Sequence, residues 1–351
     1  MRIFLYLLVC IVAAPAAAEL PVLKAGHPSL APWILPARPA SPADNAWSEA
    51  RAGLGKMLFF DPRLSTSGQV TCASCHIPER GWADGLPTAI RFHGTPVPLA
   101  TPPLANIGYA TILMWDGRQP TLEQQAIGGQ GAQSDLNNGI GKLKPADTVR
   151  LIGSIDGYRA AFERAYPGEG VTTASIGRAL AAFQRNLVSR DSPFDRWLAG
   201  DARALTGAQV NGFRVFLDPA KGGCAVCHNA PNFTDDSFHN IGLKSYGSDK
   251  RLPGRGRLQP DKIMDGAFKT PGLRDVALTA PYFHDGSART LADVVAHYAK
   301  GGEVRTNLSP LFRKAELSAQ EQADLVSFLE ALTTPAKPFV YPVLPASPPG
   351  E

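Results

Sequence analysis

The sequence predicts an all-α fold: two similar helical halves connected by long Gly- and Pro-rich loops. Three observations carry that prediction. Apolar residues recur at helical spacing before two Asp-Pro stops and again near the end of each half. Alternating strand patterns are scarce. The pentapeptide Cys-x-x-Cys-His occurs twice, as Cys72-Ala73-Ser74-Cys75-His76 and as Cys224-Ala225-Val226-Cys227-His228.

Taken in order, residues 1–18 read as a signal peptide. Arg2 precedes an apolar run from Ile3 to Ala14, and Ala16-Ala17-Ala18 offers the small-residue cleavage site. The run is too short to span a bilayer, and no later stretch is long enough. A mature chain starting near Glu19 and a periplasmic location are therefore expected. The first half, 19–191, opens with a helix running up to Leu58-Phe59-Phe60-Asp61-Pro62, because the residue before Pro is pushed out of the helical region. Ile176, Leu180, Phe183 and Leu187 mark its closing helix. The chain passes to the second half between Ser192 and Thr206. That half, 206–334, repeats the plan. Thr206-x-x-Gln209 caps a helix that stops at Val215-Phe216-Leu217-Asp218-Pro219. Ser318-x-x-Glu321 then caps a closing helix with Leu325, Phe328, Leu329 and Leu332. The Pro-rich tail, 335–351, is expected to lie extended on the surface or to be disordered.

The two pentapeptides carry the chemistry. Two thiols three residues apart can each form a thioether to one porphyrin, and the adjacent His then supplies the proximal imidazole to iron. A thioredoxin-like redox pair or half a zinc site needs no His directly after the second Cys. Of the five Cys, four lie in these motifs and Cys10 lies in the leader, so no thiol remains for a disulfide. Two covalent haem c groups are expected, held by Cys72, Cys75, His76 and by Cys224, Cys227, His228. A helix–haem–helix unit with long loops resembles a small cytochrome c domain. The formal charge of +4, from 35 basic and 31 acidic residues, gives no sign of a nucleic-acid partner and allows only weak steering of an acidic redox protein.

Three loop stretches add to this. They are Trp115-Asp116-Gly117-Arg118 followed by Thr121-Leu122-Glu123-Gln124-Gln125, Phe268-Lys269-Thr270-Pro271-Gly272-Leu273-Arg274, and Leu278-Thr279-Ala280-Pro281-Tyr282-Phe283-His284-Asp285-Gly286. With both haem motifs in this order, the chain resembles the bacterial dihaem cytochrome c peroxidase/MauG family from about Ala46 to Thr333. The resemblance implies a haem oxidoreductase acting on hydrogen peroxide. Its peroxide-reacting haem would be held by His76, and its electron-transfer haem by His228. Trp115 would be the electron relay between them, and Gln125 would line the distal pocket. The family's distal glutamate position falls on Asp135, one methylene shorter; a solvated loop residue or helix cap near Asn137 is the alternative reading. His93 falls near a position that blocks the distal face in some members, against the reading of an ordinary loop histidine.

The resemblance places the sixth ligand of the second haem at Tyr298, with His297, Met264 and an open position as alternatives. Tyrosine there is the MauG-like pattern, found where a protein substrate is oxidised. Methionine suits peroxidases fed by a small cytochrome or cupredoxin. A calcium ion would use the backbone oxygens of Thr279 and Pro281, but the family's Asn ligand falls on Ala100, and Asn106 does not replace it. His239, His284 and Arg274 read as residues bonding backbone or haem propionate. A dihaem electron carrier without catalysis of its own is the reading from another class.

Overall fold

The computed structural model describes residues 20–65, 68–90, 94–127, 145–248 and 252–347. The leader, His93 and Asp135 lie outside those residues. The described chain is mostly helical. Its α-helices are α1 (Glu49–Phe59), α2 (Leu122–Ile127), α3 (Pro145–Ser154), α4 (Asp156–Ala165), α5 (Thr173–Arg185), α6 (Pro193–Leu198), α7 (Gly207–Leu217), α8 (Leu291–Lys300) and α9 (Ala319–Glu330). Short 3-10 turns fill the loops. Among the described residues the named strands are two-residue pieces, β1 (Phe238–His239) and β2 (Phe268–Lys269), paired antiparallel with Phe238 opposite Lys269.

The helix ends follow from local chemistry. Thr206 and Gln209 cap α7 reciprocally, and Ser318 and Glu321 do the same for α9. Both Asp-Pro sequences stop their helices, α1 at Phe59 and α7 at Leu217. The closing helix of the first half is shorter than its apolar spacing predicts. It ends at Arg185, because the Leu187 carbonyl accepts from the Asn106 amide at 2.8 Å instead of continuing the helix.

Two hydrophobic clusters form the core. In the first, Leu54, Leu58 and Phe59 of α1 meet Ile176, Leu180 and Phe183 of α5, with Tyr158 and Phe162 of α4 behind them. In the second, Phe213 and Phe216 of α7 meet Leu325 and Phe328 of α9. Each pair of helices crosses at a glycine. A Cβ on Gly55 would come within 1.8 Å of the Ala179 carbonyl oxygen, and one on Gly212 within 2.0 Å of the Asp324 carbonyl oxygen. Only hydrogen fits at these crossings.

The clusters do not follow chain order at their edges. Phe194, Trp197 and Leu198 of α6, and Leu205 after it, belong to the second cluster, in the stretch read as the passage between halves. Leu30 and Trp33 join it too, although they precede α1. Conversely, Phe339 of the Pro-rich tail packs against the first cluster. Described to residue 347, the tail carries no regular secondary structure. Each end of the described chain therefore crosses to the opposite cluster.

Candidate functional site

Both pentapeptides fold into the same turn. Cys72–Ser74 and Cys224–Val226 are 3-10 helices, and the His76 and His228 amides donate to the Cys72 and Cys224 carbonyls at 3.0 and 2.8 Å. Cys72 and Ala73 pack on the first cluster, Cys224 and Ala225 on the second. The histidines are then oriented in the same way. His76 Nδ1 lies 2.9 Å from the Trp82 carbonyl oxygen; His228 Nδ1 lies 2.9 Å from that of Phe233 and 3.1 Å from that of Pro271. A carbonyl only accepts, so Nδ1 carries the proton and the lone pair is on Nε2, the tautomer that ligates iron.

The two accepting residues share an unusual backbone. Trp82 has φ 64° and Phe233 φ 57°, in the left-handed region that bulky side chains avoid. Such strain costs on the order of 1–3 kcal/mol per residue and gathers where function needs a fixed geometry. Here it turns a carbonyl onto each histidine. Burial lowers the pKa of His228 and keeps its imidazole neutral, and burial pushes the Cys224 thiol up to about 12. A histidine held at Nδ1, two sulfurs and an apolar cluster at each turn fit a covalently attached haem.

Tyr298 and His297 are neighbours on α8 with different surroundings. His297 is buried, and its Nε2 donates to the Ile241 carbonyl at 2.9 Å. Burial raises the pKa of Tyr298, and the nearby Cys224 and Cys227 sulfurs raise it further. The phenol is thus within electrostatic reach of the second pentapeptide's sulfurs, while the imidazole is committed to backbone. Met264 ends a 3-10 turn, Lys262–Met264, packed against the turn at Arg255–Arg257.

Trp115 lies where the halves meet. Its Nε1 donates to the Ala100 carbonyl at 2.9 Å, and its own carbonyl accepts from the Lys269 amide at 2.9 Å. Arg255 donates to the Asp116 and Gly117 carbonyls, and Arg257 pairs with the Asp116 carboxylate at 3.3 Å. Gln125 is half-buried on α2. That helix is anchored by Glu123, which pairs with Arg185 of α5 at 2.5 Å and accepts from Asn45 at 2.9 Å.

Of the calcium candidates, Thr279 donates its hydroxyl to the Val276 carbonyl, and Pro281 follows in the same loop. The Ala100 carbonyl is taken up by Trp115, and its methyl group offers no oxygen. Arg274 is buried; it pairs with Asp195 at 2.6 Å and donates to the Trp33 and Pro231 carbonyls, which binds backbone and leaves the guanidinium committed within the protein. His239 bridges Asp235 and Ser309, each at 2.9 Å. His284 is buried against Phe268, with ring centroids 3.5 Å apart and planes 16° apart.

Sequence reasoning registered the repeat at the Asp-Pro stops, the pentapeptides and the closing helices. The structure extends it. Thr101-Pro102-x-Leu104-x-Asn106 matches Thr270-Pro271-x-Leu273-x-Asp275, and Met114-Trp115-Asp116-Gly117 matches Phe283-His284-Asp285-Gly286 at the same offset. The backbones agree: Asn106 and Asp275 have φ 58° and 60°, Met114 and Phe283 φ 72° and 70°. The signal was present in the sequence, but Trp and His at matched positions hid it.

The model of the di-haem cytochrome c peroxidase family matches residues 49–203. The methylamine utilization protein MauG of Methylorubrum extorquens is 43% identical over 307 residues, covering 87% of this chain and 84% of that protein. Cytochrome c551 peroxidase of Nitrosomonas europaea is 34% identical, covering 84% of each chain. A solved MauG-like protein associated with microbial copper homeostasis superposes with a TM-score of 0.78 at 33% identity, covering 86% of this chain and 95% of the other.

Proposed function

Because the chain belongs to the di-haem cytochrome c peroxidase/MauG family, we propose that this haem oxidoreductase reacts with hydrogen peroxide at the haem of its first half. Electrons are exchanged with a redox protein or a protein substrate through the haem of its second half, in a MauG-like manner. The two halves are read as cytochrome c-like domains, and the periplasm as the compartment. The observation that supports the MauG-like reading is a buried Tyr298 within electrostatic reach of the Cys224 and Cys227 sulfurs, with its neighbour His297 held on the Ile241 carbonyl.

Bound at the two turns, haem c supplies an iron whose potential and reactivity are set by its axial ligands. The rest is done by side chains. His76 and His228 present Nε2, and the carbonyls that hold Nδ1–H raise the basicity of that nitrogen. Tyr298 supplies a phenol oxygen, an anionic donor once a metal cation offsets the burial that keeps it protonated. Gln125 on α2 holds peroxide by hydrogen bonding, and Asp135 moves the proton between the two peroxide oxygens. Trp115, placed between the halves, carries electrons.

Protein exported with its haem-ligation machinery should gain two haem masses, and Cys224→Ser with Cys227→Ser should remove one. Electron paramagnetic resonance then tests the ligand. Tyr298→Phe should change the low-spin signal of the second haem, and His297→Ala should leave it in place; the reverse outcome makes His297 the ligand. Asp135→Asn should slow the peroxide reaction by about 10²–10⁴, the usual cost of a lost acid–base group. Two permanently six-coordinate irons without any response to peroxide would identify an electron carrier instead.

A further inference from the structure

We propose that the His284 imidazole forms, with the Trp115 indole, a two-ring junction through which electrons pass between the halves. The proposal rests on the dihaem reading above and adds a second residue to the path. Its basis is a pair of exchanged contacts. The Ala100 amide donates to the His284 carbonyl at 2.8 Å, and the Lys269 amide donates to the Trp115 carbonyl at 2.9 Å. In the internal repeat, Ala100 corresponds to Lys269 and Trp115 to His284. Each half thus grips the other's ring-bearing residue by the same hydrogen bond, as expected at a local two-fold axis. The rings lie on either side of that axis, with centroids 6.3 Å apart in an edge-on arrangement. Trp115 therefore stands to the first pentapeptide as His284 stands to the second.

The setting of His284 argues against an ordinary loop histidine. Its ring stacks on Phe268 and meets the Trp115 ring edge-on, and among the described residues no side-chain hydrogen bond is made by it. The residue before it, Phe283, adopts φ 70°, as Met114 does before Trp115 at 72°, so both rings are delivered by the same strained turn. Continuity follows: the Trp115 Nε1–H bonds the Ala100 carbonyl, and the Ala100 N–H bonds the His284 carbonyl.

The step is a one-electron transfer. Reduction of hydrogen peroxide to two waters consumes two electrons and two protons. The junction passes one electron from the second haem, which is oxidised, to the first, which is reduced. No proton crosses with it: burial drives the His284 pKa down to about 4, so the ring stays neutral.

Rapid-mixing spectroscopy of the full dihaem protein tests this. In His284→Leu, the initial reaction of the first haem with peroxide should keep its rate. The absorption change of the second haem should be measurably slower than in the wild type. His284→Phe, which keeps a flat ring against Phe268, should stay close to wild type. The reduction potentials of both haems should be unchanged in each variant, an outcome that a general loosening of the fold would not give. If His284→Leu loses a haem, His284→Gln takes its place, since it keeps polarity without a ring and should show the same slowing. A ringless variant with intact haems and a wild-type transfer rate overturns the junction. A wild-type protein whose second haem ignores peroxide overturns instead the reading on which the junction rests.

Discussion

Glu123 shows what a single side chain contributes away from the haem turns. It stands two residues before Gln125 and fixes α2 to α5 through Arg185, which is 9% exposed. Burial works against its carboxylate, but hydrogen bonds from Arg185 and Asn45 outweigh it, and the pKa falls below the usual carboxylate value. A folded-state pKa below the unfolded one stabilises the fold above the unfolded value, near 4.5, and that contribution is lost as pH falls through the folded value. Glu123→Gln should therefore flatten the acid limb of the stability curve below about pH 4.5 in a denaturation series. At neutral pH it should cost about 3 kcal/mol, the low end for breaking a buried ion pair, because Arg185 is left without its carboxylate. Sequence reasoning quoted Glu123 as part of a motif and gave it no role. A charge pair between residues far apart in the chain leaves no local spacing to read.

At the scale of elements, the chain announced its helix ends more clearly than its contacts. The capping pairs at Thr206 and Ser318 and both Asp-Pro stops are short-range effects, and the structure has all of them. Leu187 was misread because its apolar spacing matched a helix that a tertiary bond to Asn106 ends early. The crossings at Gly55 and Gly212 are long-range, and a glycine in a helix does not say which helix it will meet. They give a sharp test with an internal control. Gly55→Ala and Gly212→Ala should each lower stability by about 1–3 kcal/mol or more, because backbone rather than a yielding side chain fills the space. Gly53→Ala on the same α1 helix, where a Cβ meets nothing within 4 Å, should raise stability by up to about 1 kcal/mol. Thermal melts of the three variants check both signs.

For the whole molecule, the crossing of the chain ends matters most, and it is the feature least visible in the sequence. Trp33 lies before α1 yet sits among Phe194, Phe213, Phe216 and Phe233, at centroid distances of 4.9 to 6.5 Å. Arg274 holds its carbonyl from below while pairing with Asp195 of α6. At the other end, Phe339 stacks on Phe60 at 5.3 Å and meets Trp82 edge-on at 5.2 Å, with the Lys56 ammonium 4.6 Å above its ring. Further along, Arg63 donates to the Pro345 carbonyl at 2.9 Å. Composition marked this tail as a surface strand or a disordered end, since Pro favours extension; it could not report that one ring in it docks on the residue whose carbonyl orients His76. Each half thus borrows apolar surface from beyond its own helices, so the stability of each half depends on the opposite end of the chain. Trp33→Ala should cost about 3–5 kcal/mol, as for other buried aromatic truncations. Truncation after Thr334 should cost less, about 1–3 kcal/mol, because Phe339 is only half-buried. The two changes should differ in where they act. Followed at the absorption of each haem during denaturation, truncation should loosen the His76 haem first and leave the His228 haem's transition nearly in place, whereas Trp33→Ala should reverse that order. If both transitions shift together in both variants, the coupling runs through the Trp115 and His284 loops rather than through the crossed ends.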